Sequence, residues 1–137
     1  GRGDIDAVLV GPKGVFALEV KAYTGYYRNV GKTWKRRAYG RWYTIDGNPT
    51  RQALRNTVAL SKYLERCGVD VWVEARVAWA KDSKLWLKTP AVRVWQLSDP
   101  AYLLDDIEGQ RPLANEVVGG VVEALEAAAA SGEPGHP

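Results

Sequence analysis

The stretch DIDAVLVGPKGVFALEVK, Asp4 to Lys21, limits the fold more than any other part of the chain. Two apolar runs flank Gly-Pro-Lys-Gly, the pattern of an antiparallel β-hairpin. With Pro12-Lys13 or Gly11 to Gly14 as the loop, paired positions sum to 25. Val10 then faces Val15, Val8 faces Ala17, Asp6 faces Glu19, and Asp4 faces Lys21. Paired residues share a face, as do residues two apart along a strand. Asp6, Glu19 and Lys21 therefore project together from one face at the open end, with Asp4 beside them. Ile5, Leu9, Phe16, Leu18 and Val20 are expected on the opposite face.

Two opposed carboxylates repel, so a purely structural hairpin gains nothing from them. A cation between them reverses the sign. Hard divalent ions such as Mg²⁺ or Mn²⁺ take oxygen ligands, commonly one or two carboxylates with water and phosphate oxygens. The backbone carbonyl of Val20, between Glu19 and Lys21, offers another oxygen. Lys21 beside a metal and a phosphate can orient or help deprotonate an attacking water. This set suits metal-assisted phosphodiester hydrolysis. The plain structural alternative is a salt bridge of Lys21 with Asp4 or Glu19.

Composition removes several other chemistries. The single histidine, His136, sits in a Gly/Pro-rich tail, so the body cannot build a Ser-His-Asp or Cys-His system or a histidine-ligated zinc. One cysteine, Cys67, excludes an internal disulfide and points to a reducing, cytoplasmic setting. No run approaches the roughly 20 apolar residues of a membrane span, and no signal peptide is visible, so no membrane partner is expected. The 137 residues suit one domain, taken as 1–130 with 131–137 as a tail or linker. Without methionine, and strand-like almost from its first residue, the chain reads as a piece of a longer one. Fused domains and a homodimer are both compatible with it.

Strands are expected over about 5–10 and 14–22, with further aromatic-rich strands in 26–45. DGNPTRQALRNTVALSKYLERCG predicts a helix with Asn48 as N-cap, Pro49 in its first turn and Gly68 at its end. VDVWVEARVAWA, KLWLK and VRVWQL predict three more strands. SDPAYLLDDIEG predicts a short helix capped by Ser98 or Asp99, and LANEVVGGVVEALEAAAA a last helix weakened by Gly119 and Gly120. Interleaved strands and helices predict an α/β domain with a mixed sheet, an opening antiparallel hairpin and flanking helices.

The hairpin, the Trp-containing segment after it and NPTRQALRNTVALSKYL together resemble the nuclease-related domain, NERD, of the PD-(D/E)XK nuclease superfamily. The likeness covers most of residues 1–97, including VDVWVEARVAWA and VRVWQLSDPAYLL. It implies a restriction-endonuclease-like core and a Mg²⁺- or Mn²⁺-dependent nuclease. Asp6 matches the motif aspartate, Glu19 and Lys21 the E-x-K pair, and Gln52 a helix glutamine that lies near the site in related nucleases. The implied catalytic residues are Asp6, Glu19, Lys21 and Gln52, with Asp6, Glu19 and the Val20 carbonyl as metal ligands. The superfamily usually carries an acidic residue on a helix before this hairpin, and the present chain starts after that point.

Charge suggests how a polyanion would be held. Residues 20–66 contain eleven Lys/Arg and two acids, a net +9, whereas residues 67–137 sum to −5. On the predicted helix Arg51, Arg55, Lys62 and Arg66 fall at about 0°, 40°, 20° and 60°, a narrow stripe. Ala53, Leu54, Val58, Leu60 and Leu64 supply its apolar surface. In YYRNVGKTWKRRAYGRWY the cations Arg28, Lys32, Lys35, Arg36, Arg37 and Arg41 alternate with aromatics that can stack on bases. Arg28, Lys35, Arg36, Arg37, Arg41, Arg51, Arg55 and Lys62 are the expected nucleic-acid contacts, with DNA the expected partner and RNA compatible. The rival reading is a non-catalytic nucleic-acid-binding or regulatory module on the same fold.

Overall fold

The computed structural model describes residues 5–130; Asp4 and His136 lie outside them. In chain order the elements are β1 (Ala7–Gly11), β2 (Gly14–Lys21), β3 (Gly25–Val30), β4 (Thr33–Ala38), β5 (Arg41–Thr44) and α1 (Pro49–Arg66). They are followed by β6 (Val73–Trp79), β7 (Ser83–Lys88), β8 (Val94–Gln96), α2 (Pro100–Glu108) and α3 (Asn115–Ala130). No described helix is long and apolar enough to cross a membrane.

The opening hairpin has the register read from its turn, with Ala7 opposite Leu18, Val8 opposite Ala17 and Val10 opposite Val15. On its other side β2 pairs in parallel with β6, and β6 in parallel with β8, giving the order β1-β2-β6-β8. Antiparallel and parallel pairing thus mix in one sheet, an α/β architecture compatible with a restriction-endonuclease-like core. A second sheet has the order β5-β4-β3-β7, with β3 and β7 parallel. Because β2 leads into β3 and β6 into β7, the same two neighbours pass together from one sheet to the other. Buried Trp79 ties that corner: its Nε1 donates to Tyr23 O at 3.0 Å and Ser83 Oγ at 2.9 Å.

Helix α1 is stopped at both ends by local chemistry. Asn48 Oδ1 accepts the Arg51 N–H at 3.1 Å, and Pro49 needs no N–H partner in the first turn. At the far end Gly68 takes φ +79°, its N–H bonds Glu65 O, and the Val69 N–H bonds Leu64 O. That is a Schellman closure, which a residue with a Cβ would strain. Leu60 and Leu64 of α1 pack on Val15, Ala17 and Val73, with Val121, Ala124 and Ala128 of α3 completing this core. Replacing either fully buried leucine by alanine removes about 2–5 kcal/mol of stability. The opposite side of the first sheet presents Phe16, Arg76 and Trp95, and α2 covers it with Asp106.

Several details depart from expectation. Ile5 packs against the helix-side cluster, not the other face, because the chain bends at Asp6 before β1 begins and the strand alternation does not reach it. Val58 is 53% exposed, since at 3.6 residues per turn it falls beside the basic stripe and away from Leu60 and Leu64. Asp99 occupies the N-cap of α2 but its side chain makes no capping bond. Helix α3 runs through Gly119 and Gly120 unbroken; at Gly120 a Cβ would meet Val69 at 3.4 Å, so the missing side chain permits a close approach.

Candidate active site

The end of the hairpin gathers Asp6, Glu19 and Lys21. Had β1 continued, Ile5 would lie opposite Val20; instead Asp6 Oδ2 accepts the Val20 N–H at 2.9 Å. The carboxylate thus takes over a ladder bond where the backbone turns away. In an extended strand the N–H and C=O of one residue point to the same edge, so the Val20 carbonyl is directed toward the Asp6 edge. Lys21 O points the other way, to the Ala80 N–H.

Glu19 is 7% exposed, with each oxygen held by a different element. Lys21 Nζ, two residues along β2, lies 3.1 Å from Oε2, and Asn56 Nδ2 of α1 donates to Oε1 at 3.0 Å. Lys21 Nζ also lies 5.7 Å from the Tyr23 ring centroid, over its face. Burial pushes the Glu19 carboxyl above the usual carboxylate range, and the charge of Asp6 adds to this, while the bond and charge of Lys21 oppose it. Asp6 is exposed, so the two acids meet from different environments.

The raised Glu19 carboxyl has a stability consequence. A group that binds its proton more tightly when folded contributes most below its unfolded pKa, and that contribution is lost as pH rises through the folded value. Without divalent ions, stability should therefore fall as pH increases from about 4.5 toward neutrality. Glu19→Gln, which keeps an acceptor for Asn56, is expected to flatten this part of the curve. Urea unfolding at a series of pH values checks it; an unchanged slope would mean that Glu19 is not the strained group.

Gln52 lies one helical turn before Asn56 on the same flank of α1. Its Oε1 is buried with no protein partner, while Gly47 sits beside its amide. A groove of about 610 Å³ opens nearby, lined by Tyr23, Tyr27, Arg36, Tyr39 and Tyr43 among others. Arg51, Arg55 and Lys62 are exposed on α1, and going round the helix Gln52 and Asn56 lie between that stripe and the core. Of the strand cations, Arg28, Lys35 and Arg37 share one face of the second sheet, and Arg36 and Arg41 lie on the other.

The nuclease-related domain family matches residues 1–80, more than half of the chain. The chain belongs to the NERD family. The matched span contains the whole hairpin, the basic strands and α1, and so every residue of the gathering around Glu19. No curated protein and no solved structure matches the chain. NERD membership makes the function nuclease-related.

Two groups in this NERD chain escape a sequence reading. Asn56 bonds Glu19, and the available signal was its place one turn after Gln52 on the same flank. The other is a polar cluster under α2. Asp106, its carboxylate fully buried, accepts from Arg76 Nε at 2.8 Å, from Trp95 Nε1 at 2.6 Å and from Arg93. Burial alone would raise the Asp106 carboxyl, but the bonds from Arg76, Trp95 and Arg93 outweigh it and hold it below the usual range. Its three main donors come from β6, from β8 and from Arg93 just before β8, and no local spacing announces them.

Among the described residues, no three His, Cys, Asp or Glu side chains lie close enough together to hold a metal. At the hairpin end the oxygen donors that could hold a divalent ion are Asp6, Glu19 and the Val20 carbonyl, with water and substrate oxygens beside them. That donor set fits Mg²⁺ or Mn²⁺, whose sites commonly use one or two carboxylates plus phosphate.

Proposed function

We propose that this domain is a metal-dependent nuclease that hydrolyses DNA phosphodiester bonds, with Mg²⁺ or Mn²⁺ held by Asp6, Glu19 and the Val20 carbonyl. The observation that carries the reading is the buried Glu19, pushed up by burial and by Asp6 yet kept paired to Lys21 at the hairpin end. A bound divalent cation would supply Lewis-acid polarisation of the phosphate and neutralise charge on the two acids. Lys21 places a fixed positive charge beside the scissile phosphate and orients the attacking water. Asn56 holds one Glu19 oxygen and so aims the other. The unpartnered Gln52 Oε1 is an acceptor for a water or a substrate hydroxyl. The exposed stripe Arg51, Arg55 and Lys62 holds the backbone, each contact contributing a salt-dependent share of affinity.

The rival is a non-catalytic nucleic-acid-binding module. It draws on the ion pair of Lys21 and Glu19 and on the Val20 bond of Asp6, which already give each charged group a protein partner. Incubating the purified protein with single-stranded and supercoiled DNA separates the two. Breakage with Mg²⁺ or Mn²⁺ that EDTA stops is the expected result. Binding without cleavage under either metal decides for the rival.

A further inference from the structure

The second sheet carries an unusual charge pattern. Its strands β3, β4, β5 and β7 hold seven Lys/Arg and no Asp or Glu. One face is core: Tyr27, Asn29 and Trp34 are buried there, Trp34 stacks on Trp79 at 5.3 Å, and its Nε1 donates to Thr50 of α1 at 2.7 Å. The register places Tyr26, Arg28, Lys35, Arg37, Trp42, Lys84, Trp86 and Lys88 on the opposite face. None of the five cations there makes an ion pair among the described residues.

That face is lined with aromatic rings. Trp42 on edge strand β5 and Trp86 on edge strand β7 come within 5.9 Å of each other, edge to face, although two strands lie between them. Tyr26 extends the row, 5.8 Å from Trp86. The guanidinium groups of Arg28 and Arg37 lie 4.7 and 5.5 Å from the Trp42 centroid, over its face. Tyr26 is 49% and Trp86 51% exposed, so ring surface remains open beside the cations. Arg28, Val30, Trp86, Leu87 and Lys88 line a shallow pocket of about 400 Å³ at the β7 edge.

We infer that this face of the second sheet binds single-stranded nucleic acid, with Tyr26 and Trp86 stacking on unpaired bases and Arg28, Lys35, Arg37, Lys84 and Lys88 following the phosphates. Charge decides the class of partner, because a face with five unpaired cations and no acid on its strands is complementary to a polyanion. The rings decide the form. A duplex hides its base faces in its stack, whereas a single strand offers a π-face at every nucleotide. The surface is the face of the second sheet turned away from Trp34 and α1, whereas Glu19 and Lys21 belong to β2 of the first sheet. The inference rests on the nuclease reading only in taking nucleic acid as the partner, and it requires no hydrolysis.

Anisotropy titrations in EDTA, where no metal-dependent cleavage occurs, test binding apart from catalysis. The probes are labelled oligo-dT, oligo-U and a mixed-sequence duplex of equal length. Wild type should bind a single strand more tightly than the duplex, and the tighter of the two homopolymers tells DNA from RNA. Trp86→Ala should weaken single-strand affinity about tenfold and leave duplex affinity nearly unchanged, as expected for a lost stacking contact. Tyr26→Ala at the open end of the row, and Lys84→Gln with Lys88→Gln, guard against a Trp86 variant that loosens the sheet. The lysine pair should lower the slope of log affinity against log salt. A duplex bound as tightly as either single strand overturns the inference. So does single-strand affinity unchanged in Trp86→Ala, Tyr26→Ala and the lysine pair.

Discussion

Lys21→Ala is expected to slow DNA cleavage by about 10²- to 10³-fold, the usual loss when one preorganised charge is taken from a transition state. DNA affinity should change little, because a group that acts mainly in the transition state alters rate more than ground-state binding. Metal binding changes too, through Glu19. Lys21 holds the Glu19 carboxyl down against burial and Asp6, so its removal lets that carboxyl rise further. The variant's Mn²⁺ binding should then be displaced toward higher pH than that of wild type. Glu19→Ala should instead lose Mn²⁺ binding at every pH, since it removes a ligand. Calorimetric Mn²⁺ titrations beside cleavage assays across pH distinguish them. Cleavage that survives both substitutions would place the chemistry elsewhere.

Asp106→Ala is expected to cost about 3–5 kcal/mol, because it strips buried Arg76 of its close partner and leaves only Glu74, 3.9 Å away. In a chain of this size that lowers Tm by on the order of 10–20 °C. The pH dependence runs opposite to that of Glu19. The Asp106 carboxyl is held down in the folded state, so its contribution is complete above its unfolded pKa and lost as pH falls through the folded value. Asp106→Asn should therefore flatten the acid limb of the stability curve. A double variant, Arg76→Met with Asp106→Leu, should lie closer to wild type than Asp106→Ala, since it removes both charges together. Thermal melts over an acid pH series check all three. A small loss in Asp106→Ala would mean that water reaches Arg76.

The first sheet could be foreseen where interactions are local. The Gly11 to Gly14 turn fixes the hairpin register from Ala7 opposite Leu18 inward, and just beyond that ladder Asp6 is held at the hairpin end by its bond to the Val20 N–H. Asn48, Pro49 and Gly68 mark the ends of α1 through bonds spanning a few residues. Tertiary structure decided what local rules cannot reach. Alternation sorts the residues of β4 into two faces but does not say which one α1 will cover; packing against Trp79 and Thr50 buried Trp34 and left Arg37 outside. Asn56 reached Glu19 because α1 crosses β2, and Asp106 found its donors because β6 and β8 are neighbours under α2. Short-range hydrogen bonds are encoded in consecutive residues. Burial, and with it the raised Glu19 carboxyl and the open face around Trp86, depends on which distant surfaces the folded chain brings together.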